Sequence, residues 1–132
     1  MVFDKTRVMA IVNLTPDSFY DGGKLKGLDA VLAQVALQIE EGADILDLGA
    51  ASSRPGAEEV PAEEEWKRLS PALHAIREAF PEMPISIDTW RTSVAKRAIE
   101  AGAHMINDIS GGQFEPTIWE VVAQAHIPYV LM

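Results

Sequence analysis

Three side chains that could recognise a heterocycle come directly after short apolar runs in this sequence. Asn13, Asp88 and Asn107 each stand at such a boundary. An amide offers both a donor and an acceptor, and a carboxylate accepts several N–H bonds. Together they suit a planar ring rich in hydrogen-bonding atoms, such as a pterin or a purine, better than a sugar or a fatty acid.

Two carboxylates lie at the end of an apolar run or inside one. Asp88 falls where the third apolar run ends, so either it or Thr89 could be a helix N-cap. Alternatively, Asp88 is a buried carboxylate that accepts two N–H bonds from a heterocycle, and the spacing does not separate these readings. Asp47 lies inside an apolar run, where a carboxylate is costly unless it is hydrogen-bonded. We interpret Asp47 as a satisfied core carboxylate that braces the strands.

Two polar loops could contribute to a site. The first runs from Asn13 to Gly27, and long ordered loops are usually functional. Asn13 could ligate Mg²⁺ through its oxygen or bind a substrate amide, although Pro-Asp and Asp-Gly-Gly in this loop are also plain turn formers. In the second loop Ser53 and Arg54 could hold an anion through a hydroxyl and a guanidinium, or form a Ser-rich turn with a solvated arginine.

The elements that must position these residues alternate regularly. Five apolar runs predict buried parallel strands, because they are apolar almost throughout; they are Val8–Val12, Ile45–Leu48, Ile85–Ile87, Met105–Ile106 and Tyr129–Met132. Four helical stripes lie between them, and Pro71 predicts a kink or a division in the second. The order predicts an α/β fold of the (β/α)8 TIM-barrel type with a parallel sheet, in which ligands bind at the carboxyl ends of the strands. A closed barrel needs eight units and about 250 residues. We expect residues 1–132 to form the N-terminal half of such a domain, about the first four and a half βα units.

Composition excludes several functional classes. The net charge is −9 over 132 residues and no lysine/arginine stripe is present, so a nucleic-acid partner is not expected. Cysteine is absent, which excludes disulfides and thiolate chemistry. The first apolar run is too short for a membrane span or a signal peptide, so we expect no membrane partner and a cytoplasmic location.

Four motifs together resemble dihydropteroate synthase. They are Asn-Leu-Thr-Pro-Asp-Ser-Phe-Tyr-Asp-Gly-Gly at 13–23, Asp-Leu-Gly-Ala-Ala-Ser-Ser-Arg-Pro-Gly at 47–56, Ile-Asp-Thr at 87–89 and Ile-Asn-Asp-Ile-Ser-Gly at 106–111. The resemblance implies a folate-pathway transferase. Such an enzyme joins 6-hydroxymethyl-7,8-dihydropterin diphosphate to p-aminobenzoate, with Mg²⁺, to give 7,8-dihydropteroate and pyrophosphate.

The resemblance also implies residue roles. Asp88 and Asn107 would hold the pterin ring, with Ile109 and Met132 packed against it. Asn13 would be the metal and diphosphate ligand. The remaining roles concern the two loops: Ser53 and Arg54 would contact the diphosphate and the aminobenzoate side, Phe19 and Pro55 would form the aminobenzoate pocket where sulfonamides compete, and Asp17 would belong to a loop that closes over the reaction. Of these residues, Asp17, Arg54 and Asp88 would be the catalytic ones.

The resemblance covers only the N-terminal half of that enzyme. The family's later Asp, Lys, Arg and His residues have no counterpart here, so we expect this chain alone to be inactive or nearly so. The full-length enzyme is expected to be a homodimer. Two alternatives remain: a pterin-dependent methyltransferase domain, which shares the Asp and Asn motifs, and a non-catalytic pterin-binding half-barrel.

Overall fold

Five parallel strands form one sheet in the order in which they occur along the chain. The structure is a computed structural model that describes residues 1–15, 24–51 and 59–132, apart from the side chains of residues 24–26. The strands are β1 Met9–Asn13, β2 Ile45–Gly49, β3 Ile85–Asp88, β4 Met105–Asp108 and β5 Tyr129–Leu131. Because each strand pairs with the next in parallel, all five carboxyl ends lie along one edge.

A helix connects each pair of successive strands. The helices are α1 Lys24–Glu40, α2 Ala62–Ala79, α3 Thr92–Glu100 and α4 Ile118–Ala125. Each packs against the next, so they form a single layer. Sequential parallel strands under a single layer of helices are the arrangement expected for part of a (β/α)8 barrel, and the predicted fold class is confirmed.

The hydrophobic core lies between the sheet and the helices. Leu46, Leu48 and Ile87 are fully buried there beside Leu69 and Leu73 of α2. Successive residues of a strand point to opposite faces. The residues that alternate with Leu46, Leu48 and Ile87 therefore face away from the helices, toward what we call the interior face.

Pro71 does not divide the second helix. It lies inside one continuous helix, α2, which corrects the expectation of two pieces. Pro61 is the N-cap of this helix and directly precedes its first turn. Tertiary packing of the stripe Leu69, Leu73 and Ile76 outweighs the single backbone hydrogen bond that a proline removes.

His104 has a structural position at the amino end of β4. Its Nδ1 atom accepts the backbone N–H of Ile85 at 3.0 Å, which ties β4 to β3. Burial and the nearby Arg77 lower the pKa of His104, which favours the neutral ring that this contact needs. In the described ranges, no helix is long and apolar enough to cross a membrane.

Candidate functional site

Four polar side chains lie together on the interior face at the carboxyl side of the sheet. They are Asp47, Ser86, Asp88 and Asn107, here named the interior polar cluster. The strand register sets Asp47 beside Ser86, and Asp88 beside Asn107. The structure thus brings together the two residues that the motifs assign to ring recognition, Asp88 and Asn107.

The cluster is buried and only partly hydrogen-bonded. Asn107 Nδ2 donates to Asp47 Oδ2 at 3.1 Å. Asp47 and Asn107 are 4% and 8% exposed, and Ser86 is fully buried. Within residues 1–15, 24–51 and 59–132, Asp47 Oδ1, Asn107 Oδ1 and Ser86 Oγ have no hydrogen-bond partner. Buried polar atoms without partners are rare in folded proteins, which makes this cluster a candidate for contact with a ligand.

Asp47 therefore matches its interpretation only in part. It is buried and it braces β2 to β4 through Asn107, as expected of a core carboxylate. It is not satisfied, however, because its second oxygen has no described partner. The sequence could not reveal this, because the bond runs diagonally across β3 between residues 60 positions apart.

Negative charge accumulates at Asp88. Burial raises the pKa of Asp88 to about 6, and the carboxylates of Asp47, Glu65 and Asp108 add to the rise. Burial also raises the pKa of Asp47, against the lowering effect of its hydrogen bond with Asn107. A ligand edge that presents N–H donors would relieve this unfavourable concentration of acceptors.

The N-cap interpretation of Asp88 is wrong. The N-cap of α3 is Arg91, and the helix begins at Thr92. Thr89 Oγ1 accepts the N–H of Arg91 at 3.2 Å, so the hydroxyl, and not the Asp88 carboxylate, organises this turn. The glycine at position 49 keeps space beside Asp88, because a Cβ there would lie 3.3 Å from Asp88 Oδ2. Asp88 is thus not used as the cap of α3.

Asn13 lies at the same level of the sheet as Gly49, on the edge strand β1. Its side chain is exposed, and its Oδ1 atom accepts the N–H of Thr15 at 2.9 Å. A carbonyl oxygen has a second lone pair, so this oxygen can still ligate a cation. Among the described residues, no three His, Cys, Asp or Glu side chains are grouped to hold a metal. The amide oxygen of Asn13 is an oxygen ligand of the kind that Mg²⁺ accepts, so this residue fits such an ion at the carboxyl edge of the sheet.

The other predicted site residues divide into two groups. Ile109 and Met132 follow β4 and β5, at the same edge as the cluster, and are 47% and 61% exposed. Their apolar side chains are accessible to a ring bound at that edge. The remaining five lie outside the described residues: Asp17, Phe19, Ser53, Arg54 and Pro55.

Asp108 organises the loop that follows β4, a role that the sequence analysis missed. This carboxylate is fully buried and accepts the backbone N–H groups of Ser110 and Gly112, each at 2.8 Å. It also accepts the hydroxyls of Ser110 and Tyr129 at 2.8 Å. Burial and this bond raise the pKa of Tyr129 to about 12. Asp108 thus holds the loop that begins at Ile109.

Replacing Asp108 with alanine is expected to destabilise the fold. Two backbone N–H groups and two hydroxyls would lose their acceptor, at a cost of about 2 to 4 kcal/mol. Urea unfolding followed by circular dichroism would measure this. Tyr129→Phe is the matched control, since it removes one of these bonds and should cost about 1 kcal/mol. Equal losses in the two variants would contradict the role of the carboxylate.

Comparison with known proteins is consistent with this geometry. Residues 9–132 match the family model described as pterin binding enzyme. The chain belongs to the pterin-binding enzyme family. Among relatives, dihydropteroate synthase from Synechocystis is 48% identical over 128 residues, which cover 97% of this chain and 44% of that protein.

Solved structures of similar proteins share the fold. Dihydropteroate synthase from Clostridium difficile, solved in the presence of pteroic acid, matches with a TM-score of 0.89 and 36% identity, over 96% of this chain and 48% of that chain. The Xanthomonas albilineans enzyme with 4-aminobenzoic acid matches with a TM-score of 0.88 and 44% identity, over 98% of this chain and 46% of that chain. The Yersinia pestis enzyme with a sulfonamide drug matches with a TM-score of 0.83 and 39% identity, over 98% of this chain and 46% of that chain. This chain therefore spans less than half the length of these relatives.

Proposed function

We propose that this chain is the pterin-binding part of a dihydropteroate synthase. The observation that carries the proposal is the interior polar cluster, in which buried acceptors without partners converge at the carboxyl ends of β2, β3 and β4. A pterin ring has several N–H donors along one edge and is planar, so it matches such a set. The enzyme would condense 6-hydroxymethyl-7,8-dihydropterin diphosphate with p-aminobenzoate. The names of the similar proteins, and their complexes with 4-aminobenzoic acid and a sulfonamide drug, support this choice of substrates and competitors.

In this reaction the carbon–oxygen bond between the pterin methylene and the diphosphate breaks. The aminobenzoate nitrogen forms a new bond to that carbon and loses a proton, and pyrophosphate leaves. Asp88 and Asn107 would hold the ring by accepting its N–H groups, which fixes the methylene relative to the incoming amine. Burial of the cluster excludes water from this end of the ring.

Asn13 would contribute to a Mg²⁺ site for the diphosphate. When bound, the metal would neutralise charge on the leaving group. The amide suits this role because it has an available lone pair and an exposed position on β1. Ser53 and Arg54 would contact the diphosphate, Phe19 and Pro55 the aminobenzoate, and Asp17 would belong to the closing loop; these roles depend on the motif resemblance alone. A cytoplasmic location and a homodimeric full-length enzyme also remain predictions.

The proposal can be tested by binding and by turnover. Pterin-6-carboxylic acid would be titrated into the chain by isothermal calorimetry, with adenine as a control planar ring. Pyrophosphate release would then be followed with both substrates and Mg²⁺, using the chain alone and the chain mixed with the C-terminal half of the Synechocystis relative. We expect selective pterin binding, and turnover only in the mixture. Pterin binding without turnover in the mixture would favour a non-catalytic half-barrel, and absence of pterin binding would overturn the proposal.

A further inference from the structure

The bond between Asp47 and Asn107 has a consequence for how the cluster recognises a ligand. Asp47 lies on β2 and Asn107 on β4, so the bond spans the interior face above β3. Asp47 lies two residues deeper along the strands than Asp88 and Asn107, because it pairs with Ser86 whereas Gly49 pairs with Asp88. It therefore lies beneath the upper level, which presents Asp88 and Asn107 at the carboxyl edge.

An ionised carboxylate can only accept hydrogen bonds, whereas an amide can either donate or accept. Because Asp47 is the acceptor, the side chain of Asn107 must turn its Nδ2 atom toward it. The Oδ1 atom of Asn107 then points elsewhere, and it is buried without a described partner. Asp47 thus determines which of the two polar atoms of Asn107 is left for a ligand.

We propose that Asp47 is a positioning residue for ring recognition, which fixes the amide of Asn107 so that its oxygen accepts an N–H from the ligand. This inference rests on the proposed function, because it assumes that Asn107 contacts the ring. With the amide fixed, the oxygen of Asn107 and the carboxylate of Asp88 both present acceptors to the ligand, while the Nδ2 atom of Asn107 is directed toward Asp47. The site then selects heterocycles whose edge carries adjacent N–H donors, and disfavours isosteres that carry a carbonyl oxygen in place of an amino group.

Asp47→Asn is the variant that tests this inference. The replacement preserves size, but the new amide can offer either its oxygen or its nitrogen to Asn107, so the orientation of Asn107 is no longer forced. The probes are pterin and lumazine, which differ by a carbonyl oxygen in place of the 2-amino group. Wild-type protein should prefer pterin, and the variant should reduce the ratio of the two affinities at least about tenfold.

A second variant distinguishes positioning from simple stabilisation. In Asp47→Asn with Asn107→Asp, the new amide donates to the new carboxylate, whose other oxygen again presents an acceptor with the total charge unchanged. The ratio of pterin to lumazine affinity should return toward that of the wild type. Asp44→Asn is the matched control, because Asp44 accepts the N–H of Val8 at 2.8 Å near the amino end of β2, far from the cluster. Asp44→Asn can lower the melting temperature but should leave the ratio of pterin to lumazine affinity unchanged.

Each result has a definite meaning. A lower melting temperature with an unchanged ratio in Asp47→Asn would show that Asp47 only supports the fold, and would overturn this inference while leaving the proposed function intact. A reduced ratio that the double variant does not restore would also overturn it. Wild-type protein that binds neither ring would overturn the proposed function and this inference with it.

Discussion

Asp88→Asn is expected to stabilise the fold at neutral pH while it weakens pterin binding. The pKa of Asp88 is about 6 in the folded chain, against 3.8 as its ordinary value. The fold is therefore more stable when Asp88 is protonated. The stability that the protonated carboxyl contributes is fully present below pH 3.8 and is lost as the pH rises through 6. At pH 7.5 the folded wild type carries a disfavoured carboxylate that an asparagine does not have.

The size of the gain follows from the pKa. The full pKa shift from 3.8 to about 6 corresponds to about 3 kcal/mol in the free energy of unfolding. We expect Asp88→Asn to gain about 1 to 2 kcal/mol, because the Asp88 side chain is partly exposed. Urea unfolding of both proteins between pH 4 and 8 should show a difference that is small near pH 4, grows up to about pH 7 and is constant above it. Asp29→Asn removes an exposed carboxylate of α1 and is the matched control for the change in charge.

Binding should change in the opposite direction. Asparagine replaces one acceptor oxygen by an NH2 group, which would face the N–H donors of the ring, so affinity for pterin should fall about a hundredfold. Calorimetric titration at pH 7.5 would measure this. A variant less stable than the wild type at pH 7.5 would contradict the electrostatic account of Asp88, and unchanged affinity would contradict its role in binding.

Arg91→Met is expected to cause the largest loss of stability. Arg91 Nη1 lies 2.9 Å from Glu65 Oε1, and both side chains are buried, with Glu65 only 2% exposed. The pair joins the first turn of α2 to the start of α3, close to Asp88 in the chain. Removing the arginine leaves a buried carboxylate without its partner, at a cost of about 3 to 5 kcal/mol.

A second ion pair between the same two helices supplies the control. Arg97 of α3 lies 3.2 Å from Glu63 of α2, but these side chains are 44% and 82% exposed. Arg97→Met should therefore cost less than about 1 kcal/mol in urea unfolding. Adding Glu65→Leu to Arg91→Met should recover most of the loss, because the unpaired charge is then gone. Equal losses in the two arginine variants would show that burial does not decide the strength of the pair.

The burial of Glu65 and its ion pair with Arg91 were not predicted from the sequence. Glu63, Glu64 and Glu65 form a run that suits the positive end of a helix, and this favours three solvated side chains. Glu65, however, is four residues before Leu69 and lies on the same buried stripe as Leu73 and Ile76. That spacing was a usable signal, but it predicts burial only, and not the partner. Arg91 is 26 residues away, and only the packing of α2 against α3 brings it there.

The sequence by itself determined the alternation of strands and helices, the parallel sheet, and the position of Asp88 and Asn107 at its carboxyl edge. These features depend on local patterns: continuous apolar runs predict buried parallel strands, and successive strands align their carboxyl ends. Only the tertiary structure decided that Asp47 accepts a hydrogen bond from Asn107, that Asp88 is not a helix cap, and that Asp108 binds the loop after β4. Hydrogen bonds are short and directional, so their partners depend on strand register and on side-chain positions set by packing across the sheet.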